Sequence, residues 1–170
     1  RVQTPNKYIS WIDENEIIRM DIYGFETWIN SEKIIYTQNL GNVYTDKNFK
    51  EIVSEITLGG MLKLITQTNE YYEVQYPDMR KGYIKRSEAA IYNSWKRDLA
   101  SNDLMKRRQQ NIENRAKSMQ HIPYLQGGNS AKGLDANGFS KMVYLMNGFI
   151  IPTEVSQQFN AGKIVDVTLD

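Results

Sequence analysis

The chain has 170 residues, of which 41% are hydrophobic and 24% are charged, and its formal net charge at pH 7 is +1. These values are typical of a globular protein with a real core, and they exclude intrinsic disorder and collagen-like repeats. The absence of cysteine excludes a disulfide scaffold, a thiolate zinc site and a thiol nucleophile, and a single histidine excludes a multi-histidine metal centre within the chain. We therefore predict no metal and no cofactor. No apolar run is long enough for a transmembrane segment, and no signal peptide is visible at the start.

Residues 33–88 have the pattern of short β-strands separated by turns. β-branched and aromatic runs at 33–37, 61–65, 71–76 and 82–84 alternate with turn-forming residues, including those at 39–42. In the run 71–76, Tyr72 and Val74 share one face while Glu73 and Gln75 take the other. About five strands in so short a stretch predict a small, strongly bent barrel or sandwich.

A repeat relates the start of the chain to the end of this β region. Residues 2–6 and 74–78 are near-copies, and in the same register Trp11 and Ile12 align with Tyr83 and Ile84. The alternative is a chance resemblance between two hairpins. The repeat favours residues 1–30 as the end of a first β domain plus a linker, with 31–90 as a second such domain. It leads us to expect that the chain begins inside its first domain, since two strands alone cannot bury a core.

Residues 91–121 are predicted to be helical and carry 7 basic and 3 acidic side chains. The stretch 94–119 has no glycine or proline, and Ile112, Ala116 and Met119 are spaced to form one buried helix face. Ser101 and the pair 102–103 are candidate N-caps for a second helical piece. The basic residues at 106–108 lack interleaved aromatic side chains, so we predict a solvated helix face and no nucleic-acid partner.

The region 122–170 contains a glycine-rich loop that leads into an apolar helical run at 139–146, ending at Asn147 and Gly148. A phosphate-binding loop is excluded because Leu134 and Asp135 stand where lysine and serine or threonine are required. A side chain in the first turn of a helix lies near unpaired N–H groups, which lower the pKa of a cysteine and favour a thiolate nucleophile. In this chain, that position is occupied by Ala136.

The motifs Pro-Tyr-x-x-Gly-Gly (123–128), Lys-Gly-x-Asp-[Cys]-x-Gly-Phe (132–139), Met-Asn-Gly-x-x-x-Pro (146–152) and Ser-Gln-Gln (156–158) resemble the NlpC/P60 family of papain-like cysteine peptidases. The β segment upstream resembles bacterial SH3-like domains, a combination similar to murein hydrolases of the γ-D-glutamyl-L-diamino acid endopeptidase type. The resemblance implies an α+β fold. Its parts would be SH3-like small β-barrel modules, a helical linker with the first helix of the peptidase-like domain at 91–121, and the N-terminal half of that domain at 122–170.

The same resemblance assigns residues to a peptide site in which no catalytic residue is intact. Ala136 replaces the cysteine, Gln126 stands where tryptophan is usual, and Asn137 stands where serine commonly follows the cysteine. Thr153 takes the place of a frequent arginine. Tyr124, Asp135 and Ser156 match the family, where they help to hold the peptide, the aspartate facing its free amino group. The substrate-binding candidates are Tyr124, Gln126, Asp135, Asn137 and Ser156. The catalytic histidine is expected beyond Asp170, and His121 is expected to be solvated or capping.

The sequence therefore predicts a murein-peptide family member that binds stem peptides (L-Ala-γ-D-Glu-diamino acid) without cleaving them. The alternative is an active cysteine peptidase seen in an inactivated or truncated form. The resemblance implies a periplasmic or cell-surface location. Three of the residues or segments assigned to the peptide site also have a purely structural interpretation. In it, Asp135 caps a helix, Tyr124 belongs to the core and residues 156–158 begin another helix.

Overall fold

The computed structural model describes residues 1–3, 9–101 and 106–163. The chain divides into two units, Arg1–Ser101 and Asn102–Asp170, which we refer to as unit 1 and unit 2. The candidate N-caps Asn102 and Asp103 lie outside the described residues, and Ser101 follows the last helix of unit 1. In the described residues, no helix combines the length and the apolar character needed to cross a membrane.

Unit 1 opens with a hairpin of β1 (Val2–Gln3) and β2 (Ile9–Ser10), a 3-10 helix at Glu14–Glu16, and helix α1 (Ile22–Asn30). Asp13 caps the 3-10 helix by accepting a hydrogen bond from the Asn15 amide. Asp21 caps α1 in the same way, since its Oδ1 accepts from the Gly24 amide at 2.7 Å. Both caps satisfy backbone N–H groups that a helix start leaves unpaired.

A seven-stranded antiparallel sheet forms the rest of unit 1, together with a 3-10 helix (Arg86–Glu88) and helix α2 (Tyr92–Leu99). The strand order is β5-β4-β8-β7-β6-β3-β9. The strands are β3 (Lys33–Tyr36), β4 (Leu40–Tyr44), β5 (Ile52–Thr57), β6 (Met61–Gln67), β7 (Tyr71–Gln75), β8 (Lys81–Lys85) and β9 (Ala89–Ile91).

The structure corrects the strand pattern predicted from the sequence in two ways. The sheet has seven strands where about five were predicted, because no predicted run corresponds to β4, β5 or β9, and β4 occupies most of the predicted turn at 39–42. Gly41 suggested a turn, but it lies inside β4. A Cβ on Gly41 would overlap the Tyr36 hydroxyl, so this glycine marks a close approach of a side chain to the strand.

The core of unit 1 lies on one face of the sheet and includes residues from both of its ends. Ile56 on β5 and Ala89 on β9 belong to the same buried cluster, so the sheet must bend around it. Tyr36 is buried there, and its hydroxyl donates to the Glu88 carboxylate at 3.1 Å. Burial, followed by the nearby Glu88 charge, raises the pKa of Tyr36, so the phenol stays protonated as a donor. The other cluster members are Ile34, Val43, Leu62, Tyr72, Val74 and Ile84.

The sequence repeat is also a repeat of the backbone. We refer to residues 2–16 as copy 1 and to residues 74–88 as copy 2. Val2 pairs with Ser10 in copy 1, and Val74 pairs with Gly82 in copy 2, the same register after a shift of 72 positions. Each hairpin is followed by a 3-10 helix at the equivalent place. Local sequence therefore specifies the same strand register and the same 3-10 helix twice.

Unit 2 contains helix α3 (Arg108–Ser118), the short strands β10 (Asn129–Ser130) and β11 (Gly133–Leu134), helix α4 (Ala136–Leu145) and helix α5 (Val155–Phe159). Met119 is buried after α3, while Ile112 and Ala116 are half-buried, which agrees with the predicted helix face. The predicted end of α4 is confirmed. Gly148 has a positive φ of 86°, and the Phe149 amide bonds back to the Tyr144 carbonyl.

Candidate functional site

Helix α4 begins at Ala136, and Asp135 is its N-cap. The Asp135 Oδ1 accepts from the Gly138 amide at 2.8 Å, and its Oδ2 accepts from the Gly127 amide at 3.0 Å. These backbone hydrogen bonds, led by that of Gly138, lower the pKa of Asp135 below its ordinary value of 3.8. The interpretation of Asp135 as a helix cap is therefore confirmed, and the carboxylate also ties the glycine loop to the helix.

Glycines allow the loop backbone to lie directly against the first turn of α4. A Cβ on Gly138 would overlap the Gly128 carbonyl oxygen and lie 3.0 Å from the Asn129 Cα. A Cβ on Gly128 would lie 2.5 Å from the Gly133 carbonyl oxygen. The Asp135 amide also donates to the Gly128 carbonyl at 3.1 Å. The glycines of the motif are thus required by backbone packing, which places the loop beside Ala136.

Tyr124 lies next to the strand that leads into α4. It forms a parallel bridge with Leu134, and the Leu125 amide donates to the Leu134 carbonyl at 3.1 Å. The Tyr124 side chain is 76% exposed. The alternative that placed Tyr124 in the core is therefore wrong, because the bridge holds its backbone while its ring stays at the surface.

Ala136 is exposed at the first turn of α4, as its position in the motif predicted. A methyl group has no lone pair, so this position cannot attack a carbonyl group. The backbone around it nevertheless keeps the features that favour a negative charge, namely a helix N-terminus and the N–H groups that face Asp135. The Asp135 carboxylate already accepts from these N–H groups, and the arrangement contains no nucleophile at position 136.

Gln158 joins the segment before α5 to the start of α4. Its Nε2 donates to the Pro152 carbonyl at 2.9 Å and to the Asn137 carbonyl at 3.2 Å. The Lys141 Nζ adds a hydrogen bond to the Thr153 hydroxyl at 3.1 Å. The Ser-Gln-Gln motif at 156–158 did not by itself indicate a role for Gln158. The structure shows that this residue positions the segment that carries Thr153.

The predicted site residues fall into two groups. Gln126 lies exposed in the turn that Asp135 holds, and Asn137 lies in the first turn of α4, so they share one loop–helix junction with Tyr124 and Ala136. Ser156 lies exposed on α5, whose presence confirms the helix expected at 156–158, and within the described part of the chain its side chain has no hydrogen bond to that junction.

Two further expectations concern histidine and metal ligands. His121 is exposed, as predicted for a solvated histidine. Over the described ranges 1–3, 9–101 and 106–163, no three His, Cys, Asp or Glu side chains are grouped so that they could hold a metal ion.

No protein-family model matches the chain. Two curated proteins are similar to it, both named gamma-D-glutamyl-L-lysine dipeptidyl-peptidase. The protein from Bacillus cereus (strain ATCC 10987 / NRS 248) is 23% identical over 159 residues, which cover 94% of this chain and 45% of the relative. The protein from Bacillus subtilis (strain 168) is 25% identical over 169 residues, which cover 92% of this chain and 53% of the relative. The chain thus spans about half the length of the curated relatives it matches.

A solved structure shares the fold of the chain. It is the crystal structure of an NlpC/P60 family protein from Bacillus cereus ATCC 10987, with a TM-score of 0.75 and 23% sequence identity. The match covers 96% of this chain and 52% of that protein. The chain has the fold of this NlpC/P60 family protein. The predicted α+β class is confirmed by this NlpC/P60 likeness together with the mixed helices and strands described above.

Proposed function

We propose that the chain is part of an NlpC/P60 cell-wall protein that binds murein stem peptides at the N-terminus of α4 without cleaving them. The observation that carries the proposal is the exposed methyl group of Ala136 at the helix start, where the chemistry of a cysteine peptidase needs a thiolate. The two relatives named as dipeptidyl-peptidases support a peptide ligand that contains γ-D-glutamyl and a diamino acid.

Asp135 is the proposed partner of the free amino group of the peptide. An ionised carboxylate has about four lone-pair positions, and the hydrogen bonds from Gly127 and Gly138 leave acceptor capacity on the oxygens. Its lowered pKa keeps it ionised at neutral pH, so it can pair with an ammonium group. Capping the helix and binding an amino group are therefore compatible roles.

Tyr124 is the proposed contact for the apolar part of the peptide. Its exposed ring offers a rigid apolar surface with a hydroxyl at one end, a combination that suits recognition of peptides. Gln126 and Asn137 at the same junction, and Ser156 on α5, would add hydrogen bonds to the peptide backbone. Each of these three residues is polar and accessible or half-buried.

We also propose that residues 31–90 form an SH3-like module and that residues 1–30 end a first module of the same kind. The support is the repeated hairpin register and the 3-10 helix that follows each hairpin. A periplasmic or cell-surface location is part of the proposal, because murein is found there.

Calorimetry with the tripeptide L-Ala-γ-D-Glu-L-Lys tests the binding function. We expect measurable heat at millimolar peptide and no released products. The Tyr124→Ala variant should bind about tenfold more weakly, a loss of about 1.4 kcal/mol, because the aromatic contact is removed. Tyr23→Ala is the matched control, since Tyr23 on α1 is also 76% exposed. No heat at millimolar peptide, or equal effects of the two variants, would contradict the proposal.

The second candidate function is that of a cysteine peptidase seen in an inactivated or truncated form. The intact backbone around Ala136 favours it, since the Asp135 cap and the close contact of Gly128 with Gly138 would hold a thiol equally well. The departures at Gln126, Asn137 and Thr153 favour the binding function instead. The parent gene separates the two. A cysteine codon at 136 with a downstream histidine supports the peptidase, and an alanine codon without that histidine supports binding.

A further inference from the structure

A cavity of about 490 Å³ lies in unit 1, between the chain around α1 and the sheet. Trp28 of α1 forms one apolar part of its lining, and Tyr76 and Pro77, which follow β7, form another. The volume is within the range of about 300–1,000 Å³ found for sites that bind small ligands. The cavity is remote in sequence from the α4 junction, and its function does not depend on the one proposed there.

A row of polar side chains crosses the sheet beneath this cavity. Lys33 pairs with Lys63 between β3 and β6, and Lys63 pairs with Gln75 between β6 and β7. Residues directly opposite one another on neighbouring strands lie on the same face, so these three side chains share one face of the sheet. Lys63 and Gln75 both line the cavity.

The amino group of Lys33 hydrogen-bonds to backbone carbonyls at the C-terminal end of α1. Its Nζ donates to the carbonyl of Trp28, to that of Ile29 at 2.9 Å and to that of Ser31 at 3.0 Å. A lysine at this place complements the negative end of the helix dipole and anchors the helix over the sheet. The amino group of Lys33 is therefore not available to a ligand, which leaves Lys63 as the cation of the row that faces the cavity.

Gln75 is a buried amide with unused hydrogen-bonding capacity. It is 8% exposed, and its Nε2 makes a long hydrogen bond of 3.4 Å to the Met79 carbonyl. Among the residues that the structure describes, none donates a hydrogen bond to its Oε1. Gln75 lines the cavity, so this amide oxygen is available to accept a hydrogen bond from a ligand that enters it.

Two cations and one carboxylate line the cavity. Arg19 and Lys63 line it, and within the described part of the chain neither takes part in an ion pair. The acidic lining residue, Asp21, uses its Oδ1 to cap α1 through the Gly24 amide. A ligand with a carboxylate would supply the negative charge that Arg19 and Lys63 lack.

We propose that this cavity is a second binding site, which takes the carboxylate end of a short peptide. Arg19 and Lys63 bind the carboxylate, and a backbone N–H of the peptide donates to the Gln75 Oε1. An apolar side chain of the peptide packs against Trp28 and Tyr76. A peptide terminus combines these three groups within the size of the cavity.

The test uses the complete 170-residue chain, labelled with ¹⁵N, and a probe of defined chemistry. The probe is N-acetyl-alanyl-phenylalanine with a free carboxylate, compared with the same dipeptide carrying a terminal amide. We expect saturable chemical-shift changes at the Gln75 side-chain amide and the Trp28 indole. The amide form should bind about tenfold more weakly, because charge-assisted hydrogen bonds are lost.

Variants of the two cations give an independent readout. Arg19→Gln and Lys63→Gln should each weaken binding of the free acid about tenfold, while their spectra away from the cavity stay unchanged. Lys47→Gln is the control, since it removes the same charge from an exposed position after β4 that does not line the cavity. Equal affinity for acid and amide, unchanged affinity in both cavity variants, or absence of saturable shifts would overturn the proposal. Saturable shifts with N-acetylglucosamine but not with the peptide would identify a glycan site and overturn it as well.

Discussion

Copy 1 and copy 2 have the same strand pairing and differ in what surrounds it. In copy 2, β7 and β8 are flanked by β6 and β4, and Ile84 is fully buried. In copy 1, the described residues pair β1 and β2 with each other alone, and Ile12, which aligns with Ile84, is 39% exposed. Trp11 is 82% exposed, whereas the aligned Tyr83 is half-buried against Tyr71. The comparison shows that local sequence sets the register of the paired strands, while neighbouring strands set burial.

The presence of a neighbouring strand explains one residue difference between the two copies. Copy 2 has Gly82 where copy 1 has Ser10. A Cβ on Gly82 would lie 2.5 Å from the Val43 Cγ1 and 3.0 Å from the Tyr44 carbonyl oxygen, because β4 crosses closely there. Ser10 has no equivalent strand against it within the described residues, so a side chain fits.

The largest effect is expected from truncating the aligned isoleucines. Ile84→Ala should lower the free energy of unfolding by about 2–5 kcal/mol, because it leaves a cavity in the core. Ile12→Ala should change it by less than about 1 kcal/mol, since the side chain is partly in water already. Urea unfolding followed by far-ultraviolet circular dichroism measures both. Similar losses for the two variants would mean that copy 1 is as well packed as copy 2.

A smaller effect is expected from exchanging the residues that differ between the copies. Gly82→Ser should destabilise unit 1 by about 1–3 kcal/mol, because the new side chain overlaps Val43 in a packed region. The reciprocal Ser10→Gly should cost no more than about 1 kcal/mol, mainly through backbone entropy. Thermal unfolding of the two variants checks the difference. A stable Gly82→Ser protein would show that β4 can move away without loss of the core.

The smallest effect concerns the turn of copy 2, where Asp78 aligns with Asn6 of copy 1 in the sequence. Burial raises the pKa of Asp78, but hydrogen bonds from the Arg80 side chain and amide outweigh it and hold the pKa below its ordinary value of 3.8. The ionised Asp78 carboxylate stabilises the folded protein, because its pKa is lower in the folded state than in the unfolded state. This stabilisation is present above pH 3.8 and is lost as the pH falls through the pKa of the folded state.

Asp78→Asn should therefore reduce stability by less than about 1 kcal/mol at pH 7, and the difference from the parent protein should shrink below pH 3.8. Urea unfolding between pH 7 and pH 2 measures the difference. Asp98→Asn on the exposed side of α2 is the control. A difference that stays constant down to pH 2 would contradict the role of the Asp78 charge.

The parts of the candidate site that depend on residues close together in the sequence were predictable. The motif around Ala136 placed the helix start correctly, because an N-cap aspartate and nearby glycines act within a few residues. Gln158 was not assigned a role, since its contacts with Asn137 and Pro152 depend on how α5 returns to α4. The cavity beside Lys63 and Gln75 was missed for the same reason, because two strands (β6 and β7), the turn after β7 and the chain around α1 form it.

The sequence by itself determined the repeated strand pairing, the start and end of α4, and the absence of a thiol anywhere in the chain. Each depends on residues close together in the sequence, or on composition. The tertiary structure decided which copy of the hairpin is buried, why Gly41 lies in a strand and not in a turn, and that Tyr124 is exposed. These outcomes depend on which strands become neighbours, because burial and close packing result from contacts between residues that are distant in the sequence.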